Sequence, residues 1–314
     1  MASMPASEPQ PVTTPLTRAA IFLVLTVDAG GESTVREVLA DVPGMARAIG
    51  FRNVEAALSC VVGIGSAAYD RVLGGARPAE LHPFAEIRGP RHHAPATPGD
   101  LFFHIKAEQQ DLCFELASRL TRRLRGAATI VDEVHGFRYF DRRDLLGFVD
   151  GTENPVGVAV DRALLVGDED PDFAGGSYVV IQKYLHDVDA WNAMTVEEQE
   201  AAIGREKLSD IELPDEQKAP GAHTALTSIE DADGTELQIL RDNMPFGSLT
   251  GAPGGTGEYG TYFIGYTRDP AVIERMLRNM FLGDPPGTTD RLLEVSTATT
   301  GALFYVPTVD QLEG

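Results

Sequence analysis

The same order of segments occurs twice in this chain, displaced by about 160 residues, and that duplication restricts the fold more than any other feature. In the first half LFFHIKA (Leu101 to Ala107) reads as a strand, QDLCFELASRLTRRLRG as a helix and VHGFRYF (Val134 to Phe140) as a strand. In the second half TYFIGYT (Thr261 to Thr267) precedes the helix DPAVIERMLRNMFLG and then GALFYVP (Gly301 to Pro307). The openings correspond too: AAIFLVLTVD (Ala19 to Asp28) and SYVVIQKYLHD (Ser177 to Asp187) are β-branched and aromatic runs followed by helix-like sequence. Leu112, Leu116, Leu120 and Leu124 share one helical face, and Val272, Ile273, Met276, Leu277 and Met280 share another. Asp269 followed by Pro270 marks a helix start, while Gly126 and Gly283 sit where a left-handed stop is expected. Two βαββαβ units with antiparallel sheets follow, a duplicated ferredoxin-like α+β fold with peripheral helices.

A length of 314 residues suits two such units, and 43% hydrophobic with 23% charged residues is ordinary globular usage. The expected division is a disordered tail over 1–17, an N-terminal half over 18–153, a connecting segment over 154–176 and a C-terminal half over 177–310. The net charge is −21, which argues against nucleic acid or an anionic membrane as partner. The acidity is uneven: residues 1–150 hold 16 basic and 18 acidic side chains, and 151–314 hold 10 and 29. No run approaches the ~18 apolar residues of a membrane span, and the opening MASMPASEPQPVTTPLT lacks the pattern of a secretion signal. A cytoplasmic homo-oligomer is expected. The ending VPTVDQLEG suggests no cargo peptide for a protein shell.

Most motifs that look chemical have plainer explanations. Gly255-Thr-Gly257-Glu-Tyr-Gly260 satisfies GxGxxG, but it follows a loop and enters a strand, where a dinucleotide site needs a strand before and a helix after. There is no phosphate loop of the GxxxxGK[ST] type and no HExxH. His92 and His93 lie between prolines, and His82, His104, His135 and His186 show no ligand spacing, so these read as structural or surface residues. Cys60 and Cys113 read as small buried hydrophobes. Three segments stand apart. GFVDGTENP ends an apolar approach in Asp150, flanked by glycine and turn formers. In LQILRDNMPFG, period two puts Arg241 and Asn243 on the face of Leu237 and Ile239, where an arginine needs a partner or an anionic ligand. His223, in PGAHTA, follows a turn and has small neighbours that leave room for something flat beside its ring.

Together these residues closely resemble the signature of the dye-decolourising peroxidases, a haem family with a duplicated ferredoxin-like fold. GFVDGTENP matches the family's GxxDG motif, with His223, the IGR…K…DIEL run from Ile203 to Leu213 and LRDNMPFG following in order. The resemblance spans almost the whole chain and points to the compact bacterial cytoplasmic (B-type) branch. It implies an H2O2-dependent peroxidase that oxidises bulky dyes, phenols or other one-electron donors through ferryl intermediates. A haem-binding or haem-handling protein with incidental peroxidase activity is the alternative, because it needs the same ligand.

The resemblance further implies that His223, in the C-terminal half, ligates the iron of haem b, with Asp150, Arg241 and Asn243 on the peroxide side. Asp290 is the candidate carboxylate behind His223, with Asp284 second, and Arg205 the candidate partner of a haem propionate. Asp150 would move a proton between the peroxide oxygens while ionised, and pairing with Arg241 is expected to depress its pKa. Trp191, the only tryptophan, is expected near the surface as a candidate electron relay. Glu153, Glu212 and Glu236 would suit Mn2+ as a small reductant.

Overall fold

The computed structural model describes residues 7–250 and 257–314. In the first half, strand β1 (Ala19–Val27) leads to helix α1 (Glu32–Gly50) and β2 (Ser59–Gly65), then β3 (Leu101–Ala107), α2 (Gln110–Arg123) and β4 (Ala128–Phe137). The second half supplies β5 (Ser177–His186), helices α3 (Val196–Ile203) and α4 (His223–Thr227), β6 (Met244–Ser248), β7 (Glu258–Thr267), α5 (Pro270–Leu282) and β8 (Ala302–Val306). The antiparallel orders are β2-β3-β1-β4 and β8-β5-β7-β6, so each half has the ferredoxin-like arrangement. The last strand of the first half begins earlier than VHGFRYF suggests, at Ala128, and ends before Arg138. Its first residues (ATIVDE) are largely exposed, which hides them from an apolar-run reading. Gly255 and Thr256 of the GxGxxG segment lie outside the described residues, and Glu258 to Gly260 enter β7.

The two sheets are joined along both edges. Phe304 pairs with Gly65 and Tyr305 with Ile64 on one side, and Gly136 pairs with Phe246 on the other. The second junction requires a glycine, since a Cβ at Gly136 would stand 2.7 Å from the Met244 Cβ. Closure protects edges that would otherwise recruit other strands. It buries the inner face, while α1 and α2 cover the outer face of β1 and β3, which explains why these two strands read as largely apolar runs rather than alternating ones. Phe22, Phe102, Tyr262, Ile264 and Tyr266 point into the barrel, while Ile21, Leu23 and Ile105 pack outward under α1 and α2.

Inside the barrel lies a polar cluster. Lys106 of β3 is 1% exposed and forms a buried ion pair with Asp242, which has no exposed surface. Lys106 also donates to the Thr14 carbonyl at 2.9 Å, and the Tyr266 hydroxyl meets His104 Nδ1 at 2.9 Å. Burial pushes His104 down to about 3, so its ring is neutral.

The expectation of a disordered tail over 1–17 is corrected. Residues 1–6 of the expected tail lie outside the described residues, but from Ser7 onward the chain is packed. Val12 is 1% exposed, and the Gln10 amide donates to Val62 and Pro307 carbonyls at 2.9 and 2.8 Å, satisfying backbone groups at the β2–β8 seam. The connecting segment over 154–176 carries a helix of its own, Ala159–Leu164, which buries Leu164 against the barrel core.

Removing one member of the Lys106–Asp242 pair leaves the other charged and buried, at a cost of about 3–5 kcal/mol. Asp242→Ala should therefore lower the denaturation midpoint far more than the double replacement Lys106→Met/Asp242→Leu. Urea unfolding curves of the two variants check this ordering.

Candidate active site

His223 is the first residue of α4 and is placed by a backbone contact that only glycine permits. The Gly221 carbonyl accepts the Arg291 N–H at 2.9 Å, and a Cβ on Gly221 would stand 2.8 Å from the Thr289 oxygen. That approach brings Asp290 against the imidazole. Its Oδ2 lies 2.7 Å from His223 Nδ1, while Oδ1 accepts the Leu292 N–H at 2.8 Å. Asp290 is wholly buried, and the His223 side chain is 29% exposed. Asp290, not Asp284, is thus the carboxylate behind the ring. A carboxylate at Nδ1 fixes the tautomer, so Nε2 carries the free lone pair. Nε2 has no hydrogen-bond partner among the described residues, and His223 lines a cavity enclosing about 1380 Å³, part of it open to solvent.

The same cavity is walled by Asp150, Arg241 and Asn243. Alternation along the chain accounts for this: Asp242 points into the barrel while its two neighbours face outward, with Ile239 and Leu237 on their side. Asn243 is fixed at both ends of its amide. Its Oδ1 accepts the Ile264 N–H of β7 at 2.9 Å, and its Nδ2 donates to Asp150 Oδ1 at 3.2 Å. Asn154, which the sequence reading passed over, has a matching duty. Its side chain accepts the Arg241 N–H at 2.8 Å and donates to the Arg241 carbonyl at 2.7 Å. The asparagine in GFVDGTENP was the available signal. The motif supplies Asp150 and also the residue that positions Arg241.

The expected depression of the Asp150 pKa is overturned. Its carboxyl is raised above the usual carboxylate value, because burial outweighs the Asn243 hydrogen bond and the more distant charge of Arg241. The two do not form a direct ion pair: Asp150 leans on Asn243. Burial also lowers Arg241, opposed by Asp150, Glu153 and Glu236. Each shows some surface because it faces the cavity, yet protein surrounds it on the remaining sides. A second carboxylate, Asp144, lines the cavity and is pushed up to about 7, chiefly by burial and also by the charge of Asp150. Its Oδ1 accepts the Leu146 and Phe148 N–H groups, each at 3.0 Å, which shapes the turn leading to Asp150.

One side of the wall is apolar, with Ile273, Met276, Leu277 and Met280 of α5 and Phe263 of β7. Helix and sheet stand apart here, whereas the matching α2 layer of the first half is filled by Cys113, Leu116 and Leu120. Arg205 lines the cavity with its guanidinium on Glu153 at 2.7 Å, Glu212 at 3.3 Å and Asp210 at 3.2 Å. Glu236 also lines the cavity, its backbone paired with Glu230, and no set of three His, Cys, Asp or Glu able to hold a metal ion occurs among the described residues. The expected three-glutamate site is not gathered. Trp191 departs from expectation: it is 1% exposed, donates its indole N–H to the Leu146 carbonyl at 2.9 Å and packs edge-on to Phe148. The helix Val188–Ala193 does lie at the surface as expected, but α3 and the Leu146–Phe148 turn cover its Trp191. His186 also lines the cavity, bonded to Ser296 and Thr261, and burial lowers it to about 4.

Comparison with known proteins agrees with this arrangement. Residues 9–138 match the family model for the Dyp-type peroxidase N-terminal region, and 141–311 match the C-terminal one. The chain is 63% identical over 310 residues to a dye-decolorizing peroxidase of Mycolicibacterium paratuberculosis, covering 99% of this chain and 86% of that protein. Among solved structures, the encapsulated DyP-type peroxidase from Mycobacterium smegmatis superposes with a TM-score of 0.95 at 62% identity, covering 98% of each chain. DyPB from Rhodococcus jostii RHA1 gives 0.93 at 56%, covering 98% of this chain and 97% of the other, and variants of it have been solved in complex with heme. A histidine backed by a buried carboxylate, a facing Asp–Arg–Asn set and two ferredoxin-like sheets thus accompany similarity along the whole length, and the chain belongs to the Dyp-type peroxidase family.

Proposed function

We propose that this chain is a haem b-dependent peroxidase that uses H2O2 to oxidise dyes, phenols and other one-electron donors, with His223 as the iron ligand. One observation carries the reading: an imidazole held at Nδ1 by buried Asp290 presents an unpartnered Nε2 to a large, mostly apolar cavity. The cavity fits a flat apolar macrocycle, and Arg205 on its wall suits a propionate, which there competes with Glu153 and Glu212 for the guanidinium. When bound, the haem supplies the two-electron reaction with peroxide and the one-electron reactions with donors. The chain's own residues do the rest. Asp290 draws on the Nδ1 proton and makes His223 a stronger electron donor. Asp150, while ionised, accepts a proton from the inner peroxide oxygen and returns it to the outer one. Arg241 stabilises negative charge on the departing oxygen, and Asn243 orients the carboxylate. The Asp150–Arg241–Asn243 wall favours an enzyme over a haem-handling protein, because mere binding of haem makes no use of it.

A cytoplasmic location and a homo-oligomeric state belong to the same proposal. Among the described residues no helix is long and apolar enough to cross a membrane, and light scattering of the purified protein reads the assembly.

His223→Ala should lose stable haem loading while retaining the fold, since the barrel core is built without it. Haem-to-protein absorbance ratio and far-ultraviolet dichroism check the two halves of that statement. Asp150→Ala and Arg241→Ala should both load haem, and at least one should slow the reaction with peroxide by ~10²–10⁴. The larger loss is expected at Arg241, because removing the cation also raises Asp150 further. Rapid-mixing rates on loaded variants measure this.

The pH dependence follows from the raised carboxyl of Asp150. A base whose pKa is raised loses its working form sooner as pH falls, so peroxide activation should begin to fail above the pH at which an ordinary carboxylate, near 3.8, protonates. Asp144, titrating at about 7, repels the Asp150 charge only above that pH. Asp144→Asn therefore mimics the neutral form Asp144 already has on the acid limb, so that limb should stay where it is in wild type. Rate constants for peroxide reaction, measured across pH in wild type and Asp144→Asn, give both limbs directly.

A further inference from the structure

A second, smaller cavity of about 440 Å³, including its mouth, meets the first at Asp150, Gly151, Arg241 and Asn243. Its outer wall is made by Arg138, Tyr139, Arg142 and Arg143, with Leu16, Met244 and Pro245 as apolar floor. Four arginines therefore face one carboxylate, Asp150, in a chain whose net charge is −21. The charges are poorly neutralised. Arg142 and Arg143 have no carboxylate within 4 Å among the described residues, and Arg138 reaches Glu108 only at 3.7 Å. Arg143 is spent on the Gly147, Lys207 and Leu208 carbonyls, which hold the guanidinium in place without cancelling its charge.

Two further observations mark the mouth. Phe140 is 72% exposed and packs on Tyr139 with ring centroids 4.5 Å apart, so an aromatic step lies on the rim beside the arginines. The backbone there is also strained: Asp141 and Arg142 take φ of 50° and 62°, a left-handed conformation unfavourable for both. The Asp150 N–H donates to the Arg142 carbonyl at 3.2 Å, so the strained turn is fastened to the site itself.

We propose that this vestibule docks anionic single-ring aromatic donors, phenols carrying a carboxylate, with the carboxylate on Arg138 and Arg142 and the ring against Tyr139 and Phe140. Guanidinium and carboxylate match in shape and charge, and arginine beside an aromatic face also stabilises a bound ring. The acidic second half repels such donors elsewhere, so the basic mouth gathers them where a wall of the haem cavity begins. The proposal rests on the peroxidase reading for its chemistry. Two phenols each give one electron and one proton, and one H2O2 takes both pairs to become two waters.

The test compares vanillate (4-hydroxy-3-methoxybenzoate) with guaiacol (2-methoxyphenol), the same phenol without the carboxylate, on the haem-loaded enzyme. Calorimetry on the resting protein, without peroxide, gives Kd for vanillate, and turnover gives KM for each donor. Arg142→Gln should weaken vanillate about tenfold and Arg138→Gln/Arg142→Gln more. Guaiacol kinetics should stay within about twofold, and Arg142→Lys should retain most of the vanillate affinity, since an isolated charge loses only the fork geometry. Phe140→Ser, on an exposed ring and leaving both positive-φ residues unchanged, weakens vanillate and serves if the arginine variants load haem poorly. An unchanged vanillate Kd in the double variant, or equal loss for both donors, overturns the proposal. Failure of wild type to oxidise guaiacol would instead strike at the peroxidase reading, and the vanillate Kd series would still decide the docking site.

Discussion

The buried ion pair of Lys106 and Asp242 is the constraint around which the molecule is arranged. It joins β3 of the first half to the segment just before β6 of the second, inside a barrel that neither half closes alone. An unpaired charge in that interior is prohibitive, so the pair admits one register between the halves. Because Asp242 points inward, Arg241 and Asn243 must point outward, into the cavity that His223 shares. The geometry of the active site is thus set from the far side of the strand. Lys106 also holds the Thr14 carbonyl, which ties the first segment of the chain to the same point.

Burial, not pairwise attraction, governs the electrostatics of the site. A carboxylate near an arginine ordinarily keeps its charge cheaply, and that logic led to an expected low pKa for Asp150. The enclosed wall reverses it: lost hydration outweighs the Asn243 hydrogen bond and the nearby cation, and the charge of Asp150 in turn helps to push up Asp144 on the same turn. His104 and His186 show the same rule in neutral form, both kept uncharged by their surroundings.

Much of the fold was legible because duplication repeats its own evidence. The runs at Ala19, Leu101, Ser177 and Thr261 all form strands, and Asp269 with Pro270 opens α5 as expected, its side chain accepting the Ala271 N–H. The order of Asp150, His223, Arg241 and Asn243 along the chain pointed to one site, and they do line one cavity. What stayed hidden depends on contacts distant in sequence. Trp191 looked superficial because its helix is amphipathic only with respect to α3 and the Leu146–Phe148 turn. Asn154 looked like a turn former because its partner lies 87 residues away. The packed stretch from Ser7 to Thr17 has few apolar residues, and its anchoring relies on Gln10 completing backbone hydrogen bonds at a seam no local pattern reveals.

The grip of Asn154 on Arg241 bears on how this site can change over time. Both contacts are to backbone, one to the N–H and one to the carbonyl, so the grip is blind to the side chain at 241. A mutation there alters the chemistry offered to the cavity while the wall keeps its shape, and Asn243 next door keeps its own tether to Ile264. The position behaves as a socket: evolution, or an engineer, can exchange the functional group without rebuilding the mount. Asn154 itself has no such freedom, since every side chain placed in the socket depends on it.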